Sequence, residues 1–210
     1  MTRALLDPAD RMRIEAAVHE AERTTGGEIV VCVVGACDEY GSVGWRLGVV
    51  LAALALLVSG VYSPAATHAQ IFALQAGALA LGHLLGRIRP IRRFLLPEDL
   101  LETRVRERAV RAFGEHGLAR TAAHTGILIF VAVLERRVVV LGDEGIDRAL
   151  GAGESWSEVV ALATAGLGQG RAAEGILAAV RRCGEILSAH LPTKPGDTNE
   201  LPNRVVIEDT

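Results

Sequence analysis

Apolar residues fall into three patterns along this chain, and the first is helical. Ile14, Ala17, Val18 and Ala21 share one face of a segment opened by Asp7-Pro8-Ala9-Asp10, an N-cap, a proline at the first helical position and an acid in the first turn. A helix is predicted from about Pro8 to Thr24, stopped by Gly26-Gly27. The second pattern is continuous. In EIVVCVVGAC, from Glu28 to Cys37, Ile29, Val31 and Val33 alternate with the equally apolar Val30, Cys32 and Val34. Such a strand is covered on both faces, as in a sheet layered between helices. The third is a gap in charge: between Leu47 and Gly86 there is no Asp, Glu, Lys or Arg.

That gap is long enough for two membrane crossings of about 20 residues each, with Ser63-Pro64 supplying a break. A transmembrane helical hairpin is predicted. Its first arm, Gly44 to Tyr62, carries Trp45 and Tyr62 at its ends, where amphipathic rings favour the headgroup level. The second, Ala69 to Gly86, contains Gln70, Gln75 and His83, which must face the partner helix or the interface. Ala69, Ala73 and Gly77, extended by Gly82 and Gly86, offer small residues for close helix packing. Arg46 precedes the first arm, and Arg87, Arg89, Arg92 and Arg93 follow the second. The positive-inside bias then keeps both termini cytoplasmic, at the inner membrane, and leaves only SPAATHAQ outside. The N-terminal stretch lacks a basic region followed by an apolar core, so the apolar segment is not expected to be a cleaved signal.

Beyond the gap, Pro97-Glu98-Asp99 opens a helix with Leu101, Val105, Ala109, Ala112 and Phe113 inward, ending near Gly114 to Gly117. GILIFVAVL (126–134) and RVVVLG (137–142) read as two strands joined by a hairpin at Glu135-Arg136. Three helical pieces follow: one after Gly145, one from a Ser155-Trp156-Ser157-Glu158 capping box and one from Arg171 to His190. A crossover helix makes the first two strands parallel, so the turn at Glu135 to Arg137 shares the lipid-proximal end and Glu28, His124 and Asp143 collect at the other. The expected architecture is a three-layer α/β/α sandwich with a small mixed sheet, interrupted by the hairpin. Its first part covers 1–42, the hairpin and basic flank 43–93, its second part 94–191, and an extended tail 192–210.

Composition narrows the function. The 210 residues are 50% hydrophobic with a net charge of -3, and the mean hydropathy is +0.31 with a pI near 6.1. That excludes a disordered chain and gives no electrostatic basis for nucleic acid. Arg104, Arg106, Arg108 and Arg111 are interleaved with Glu102, Glu107 and Glu115, the signature of a solvated helix face. Three cysteines, Cys32, Cys37 and Cys183, have no framework spacing and fit a reducing compartment. Cys32 and Cys37 lie at an odd offset, on opposite faces of a regular strand, which argues against a shared metal or disulfide.

Taken in order, the Asp7-Pro8 helix, TGGEIVVCVV, a helix with FGEHGL, HTGILIFVAVLERRVVVLGDEGI and GLGQGRAAEGILAAV resemble the TPM domain family. The resemblance implies an α/β sandwich in a membrane-anchored or exported protein. Plant thylakoid members are linked to acid phosphatase activity and photosystem repair, and some animal members are receptor auxiliary factors. The positions that carry it are Glu28, Gly126, Arg136-Arg137 and Gly142 to Gly145. Where better-studied members have a glycine-tyrosine-glycine-like segment, this chain reads Gly142-Asp143-Glu144-Gly145.

Candidate chemistry is sparse. Glu28, Asp143, Glu144 and Asp147, with His124 nearby, are hard oxygen donors suited to calcium or magnesium at the far end. The competing reading is a polar turn, with Glu28 paired to an arginine such as Arg120. Arg87, Arg89, Arg92, Arg93, Arg136 and Arg137 are candidate contacts for anionic lipid headgroups. Cys183 follows Arg181-Arg182 without a phosphate-cradling loop, and Gly166, Gly168 and Gly170 follow a helix rather than the strand a dinucleotide fingerprint needs. His68 and His83 do not form a proton path. The sequence therefore points to a membrane-anchored accessory or assembly factor that contacts lipid and a membrane protein partner. A metal-assisted phosphatase acting on phosphomonoesters is the alternative.

Overall fold

The computed structural model describes residues 5–62, 65–150, 156–193 and 199–208. It divides into a unit formed by Met1–Cys37 with Glu102–Thr210 and a unit formed by Asp38–Leu101.

The first unit is a mixed α/β fold whose sheet contains β1 (Glu28–Val34), β2 (Gly126–Ala132), β3 (Arg137–Gly142) and β4 (Val206–Glu208) in the order β3-β2-β1-β4. β1 and β2 are parallel, from Glu28 opposite Gly126 to Val34 opposite Ala132. β2 and β3 form the antiparallel hairpin, with Arg136 at a φ of 53° in its turn. Every residue of β1 and β2 is buried, so period-2 alternation sorts their side chains between two cores rather than between core and water. Ile29, Val31, Val33, Ile127, Ile129 and Val131 face a cluster completed by Ile14 and Val18 of α1 (Pro8–Glu22), Val159 and Ala163 of α7 (Ser157–Gly168) and the apolar face of α8 (Ala172–His190). Val30, Cys32, Val34, Leu128, Phe130 and Ala132 face the other cluster, under Val105, Ala109 and Ala112 of α5 (Glu98–Glu115). Helices thus cover both faces of the sheet.

Local signals account for the helix boundaries. Asp7 caps α1, its carboxylate accepting the Asp10 amide at 2.7 Å, and proline follows at the first turn. At α7 the N-cap is Trp156, whose indole has no oxygen to accept an amide, and the expected capping box rests on Ser155, which lies outside the described residues. The short α6 (Glu144–Leu150) starts where the Asp143 carboxylate accepts the Glu144 amide. The tail does more than extend. Val206–Glu208 pairs in parallel with β1, Cys32 opposite Val206 and Val34 opposite Glu208.

The second unit holds α2 (Ser42–Tyr62), α3 (His68–Leu85) and α4 (Arg89–Leu95). α2 and α3 form a helical hairpin, whose break at Ser63-Pro64 lies outside the described residues. The packing seam keeps the expected Gly82 and Gly86 but not the other small residues of that stripe. Ala69, Ala73 and Gly77 are exposed. Contact instead runs through Gly44 and Gly48 of α2 against Gly86 and Gly82 at the α3 end: a Cβ on Gly82 would lie 2.3 Å from the Gly48 Cα, and one on Gly86 2.3 Å from the Gly44 Cα. Both pairs are four residues apart, one helical turn, so two backbones meet along a single stripe. Gln70 lines a cavity with Ser59 and Tyr62 of α2. It closes a capping box with Thr67 at the start of α3. His83 lies against Trp45, ring centroids 4.6 Å apart.

Of these helices, α2 is long and apolar enough to cross a membrane, with a mean hydropathy of 1.9 over its most apolar window. Its 21 residues span about 32 Å at about 1.5 Å per residue, the thickness of a hydrocarbon core. α3 does not reach that standard alone and does so only with α4, across a bend of 97°. Part of the basic flank is a helix of its own, α4, with Pro90 in its first turn.

Candidate functional site

The far end of the sheet is set by register: Glu28 and Gly126 open β1 and β2, and the Asp143 amide donates to the Gly126 carbonyl at 3.0 Å. Glu28 is 7% exposed. Its two carboxylate oxygens accept the Glu200 amide at 3.0 Å and the Leu201 amide at 3.2 Å, so the partners of this acid come from the tail rather than from Arg120. Asp143 uses Oδ1 on the Glu144 amide at 2.9 Å and Oδ2 on His124 Nδ1 at 3.1 Å. Glu144 is exposed and 3.5 Å from Arg148, and Asp147 is exposed. Register thus brings Glu28, His124 and Asp143 to one end, where their carboxylates are engaged by amides and imidazole.

Gly145 belongs to the same turn for a steric reason. Its amide donates to the His124 carbonyl at 2.9 Å, and a Cβ there would lie 2.4 Å from the Ala123 oxygen.

Sequence reasoning passed over Glu22, the last residue of α1. Its Oε1 accepts the Ile29 amide at 2.9 Å and its Oε2 accepts from Asn203. Burial pushes this carboxyl up from its ordinary 4.5 to about 7, and the neighbouring Glu28 carboxylate adds to the shift, while the two hydrogen bonds oppose it. Glu15 accepts the Val205 amide at 3.0 Å. Three acids from α1 and β1 thus form a row of acceptors that holds residues 200–205 of the tail. No motif announces this role, because its donors are backbone amides far away in sequence.

At the other end of the first unit, the fully buried Glu135 accepts the Cys37 amide at 2.8 Å, and Arg137 lies 3.6 Å from Glu102. The two points where the chain leaves and re-enters this unit, Cys37 and Glu102, are therefore tied to one hairpin turn, which also presents the exposed Arg136. In the second unit Arg92 donates to the Glu39 carbonyl at 3.1 Å and Arg93 pairs with Glu98 at 2.6 Å, while Arg87 is exposed and Arg89 half-buried.

The three cysteines are free. Cys183 is fully buried in the α8 core, where burial pushes its thiol up to about 12. That suits packing, not nucleophilic attack. Among the described residues, three metal-ligating atoms come within 4.8 Å of one another at Cys32, His116 and Glu208, and not among the predicted acids.

Comparison with known proteins agrees with this architecture. No curated protein matches the chain. The solved NMR structure of the BA42 protein from the psychrophilic bacterium Bizionia argentinensis is similar, with a TM-score of 0.59 at 19% identity, covering 97% of this chain and 95% of that one. At that identity the likeness shows a shared fold. Residues 94–186 match the family model described as the TPM domain. This span contains α5, both strands of the β2–β3 hairpin and most of α8, and this part of the chain is similar to the TPM domain.

Proposed function

We propose that this TPM-domain protein is anchored in the inner membrane by its helical hairpin, and that its α/β unit works on the cytoplasmic side as an accessory or assembly factor for a membrane protein. The observation that carries this reading is the outward face of α2. Val49, Val50, Leu54, Leu57 and Val61 are 57% to 72% exposed, a run of large apolar side chains over four turns. A surface of that kind is stable when lipid or another apolar surface covers it. The glycine seam supports α3 as the second crossing, because close backbone packing stabilises helix pairs where lipid supplies no hydrophobic drive between them.

The bend between α3 and α4 adds to the picture. With α3 upright in the bilayer, a turn of 97° lays α4 along its surface, where Phe94 at 88% exposed enters the acyl boundary and neighbouring arginines meet phosphate. Arg87 and Arg89 then contribute about 1 kcal/mol each toward anionic headgroups. Arg92 and Arg93, engaged by Glu39 and Glu98, act first in bracing α4. The acids at the far end are committed to the tail and to the α6 turn, which favours a contact surface over a hydrolytic centre.

The test is crosslinking and affinity recovery of the full chain from native membranes, beside a phosphomonoester assay of the same preparation across pH and divalent ions. A stoichiometric membrane partner with no hydrolysis is expected. Hydrolysis that disappears in Glu28→Ala and Asp143→Ala, with no partner recovered, overturns the reading in favour of a phosphatase.

A further inference from the structure

We propose that Cys32, His116 and Glu208 form a zinc site that fastens the C-terminal strand to the edge of the sheet. The three residues come from separate parts of the α/β unit: the middle of β1, the residue after α5 and the end of β4. Their ligand atoms lie within 4.8 Å of one another. His116 Nε2 is 3.5 Å from Glu208 Oε1, and it is a buried nitrogen with no hydrogen-bond partner among the described residues. That separation is long for a hydrogen bond. It is close to the spacing of two ligands on one tetrahedral ion, about 3.3 Å apart for metal bonds of about 2.0 to 2.1 Å.

The surroundings suit a cation. Glu208 Oε2 accepts from Arg108, which also donates to Glu115 at 3.0 Å, so the guanidinium orients the carboxylate and leaves Oε1 toward His116. A hydrogen bond to the oxygen that does not bind the metal fixes a carboxylate ligand in place. Two carboxylates, Glu208 and Glu115, face the one guanidinium of Arg108. On binding, the Cys32 S–H bond is replaced by Zn–S and the proton leaves to solvent. A thiolate and an imidazole select zinc over the calcium or magnesium that an all-acid site takes. His116 also lines a cavity of about 290 Å³ with Glu115, Gly117 and Arg204.

A role follows from the length of β4. Three residues paired at an edge are a weak attachment, and an ion shared by β1, α5's end and β4 ties that attachment to the sheet core. The site is independent of the membrane reading. Its test uses the full chain in detergent, stripped with a chelator, then titrated with Zn²⁺ alone and, separately, with Co²⁺. One ion per chain, a raised Tm with zinc and a thiolate-to-cobalt charge-transfer band are expected in the native protein and in Cys183→Ala. Cys32→Ser and His116→Gln should lose the band and the Tm increase, and His116→Gln changes a partly exposed side chain, so its fold is retained. Absence of the band in the native protein, or zinc binding undiminished in either variant, overturns the proposal.

Discussion

Glu22 shows how much a single carboxyl at the tail interface sets the pH response. Its folded value of about 7 lies above the ordinary 4.5, so the folded chain holds that proton more tightly than the unfolded one. The stabilisation is complete below about pH 4.5 and is lost as pH rises through 7. Glu22→Gln keeps an acceptor for the Ile29 amide and removes the ionisation. The variant should therefore lack most of the decline in stability between pH 5 and 8, and at pH 8 it should exceed the native chain by about 1 to 2 kcal/mol, with the value of one pKa unit discounted for partial solvent screening. Urea unfolding across that range checks it, and parallel profiles for the two proteins would rule the mechanism out. Glu28 was legible in the sequence as a special acid because it heads an otherwise apolar strand. Its partners were not, since the Glu200 and Leu201 amides lie more than 170 positions away and belong to a turn-rich tail.

Elements were more readable than contacts. β1, the β2–β3 hairpin and α8 follow from continuous apolar runs and a strong helical face, and their parallel and antiparallel pairing followed from connection length. β4 escaped because three residues are too few for periodicity to register, and α4 escaped because its charges masked a seven-residue helix. The hairpin seam was half visible: Gly82 and Gly86 were recognised, but their partners Gly44 and Gly48 sit at the same four-residue spacing on the other arm. This seam yields a paired prediction. Gly82→Val puts side-chain atoms into the α2 backbone and should destabilise the hairpin by about 1 to 3 kcal/mol. Gly77→Val, where a Cβ meets nothing within 4 Å, should leave stability unchanged or slightly raised. Thermal unfolding of both variants in detergent distinguishes them, and equal behaviour would dismiss the seam.

The whole molecule joins two units that place their apolar side chains differently. In the α/β unit, apolar side chains turn inward to two cores on either side of one sheet. In the helical unit they turn outward, from Trp45 to Tyr62 along α2 and at Phe72, Leu81 and Leu84 along α3. A single folding rule explains both arrangements if the second unit is dissolved in lipid. The charge-free stretch made that contrast legible from sequence, whereas the place of the tail, the tethering of Cys37 to Glu135 and the cluster at Cys32 required the fold. The most direct measurement of the anchoring claim is alkaline carbonate extraction of membranes from cells making the full chain. Recovery of the protein in the membrane pellet is the predicted result, and its release into the supernatant would contradict the account.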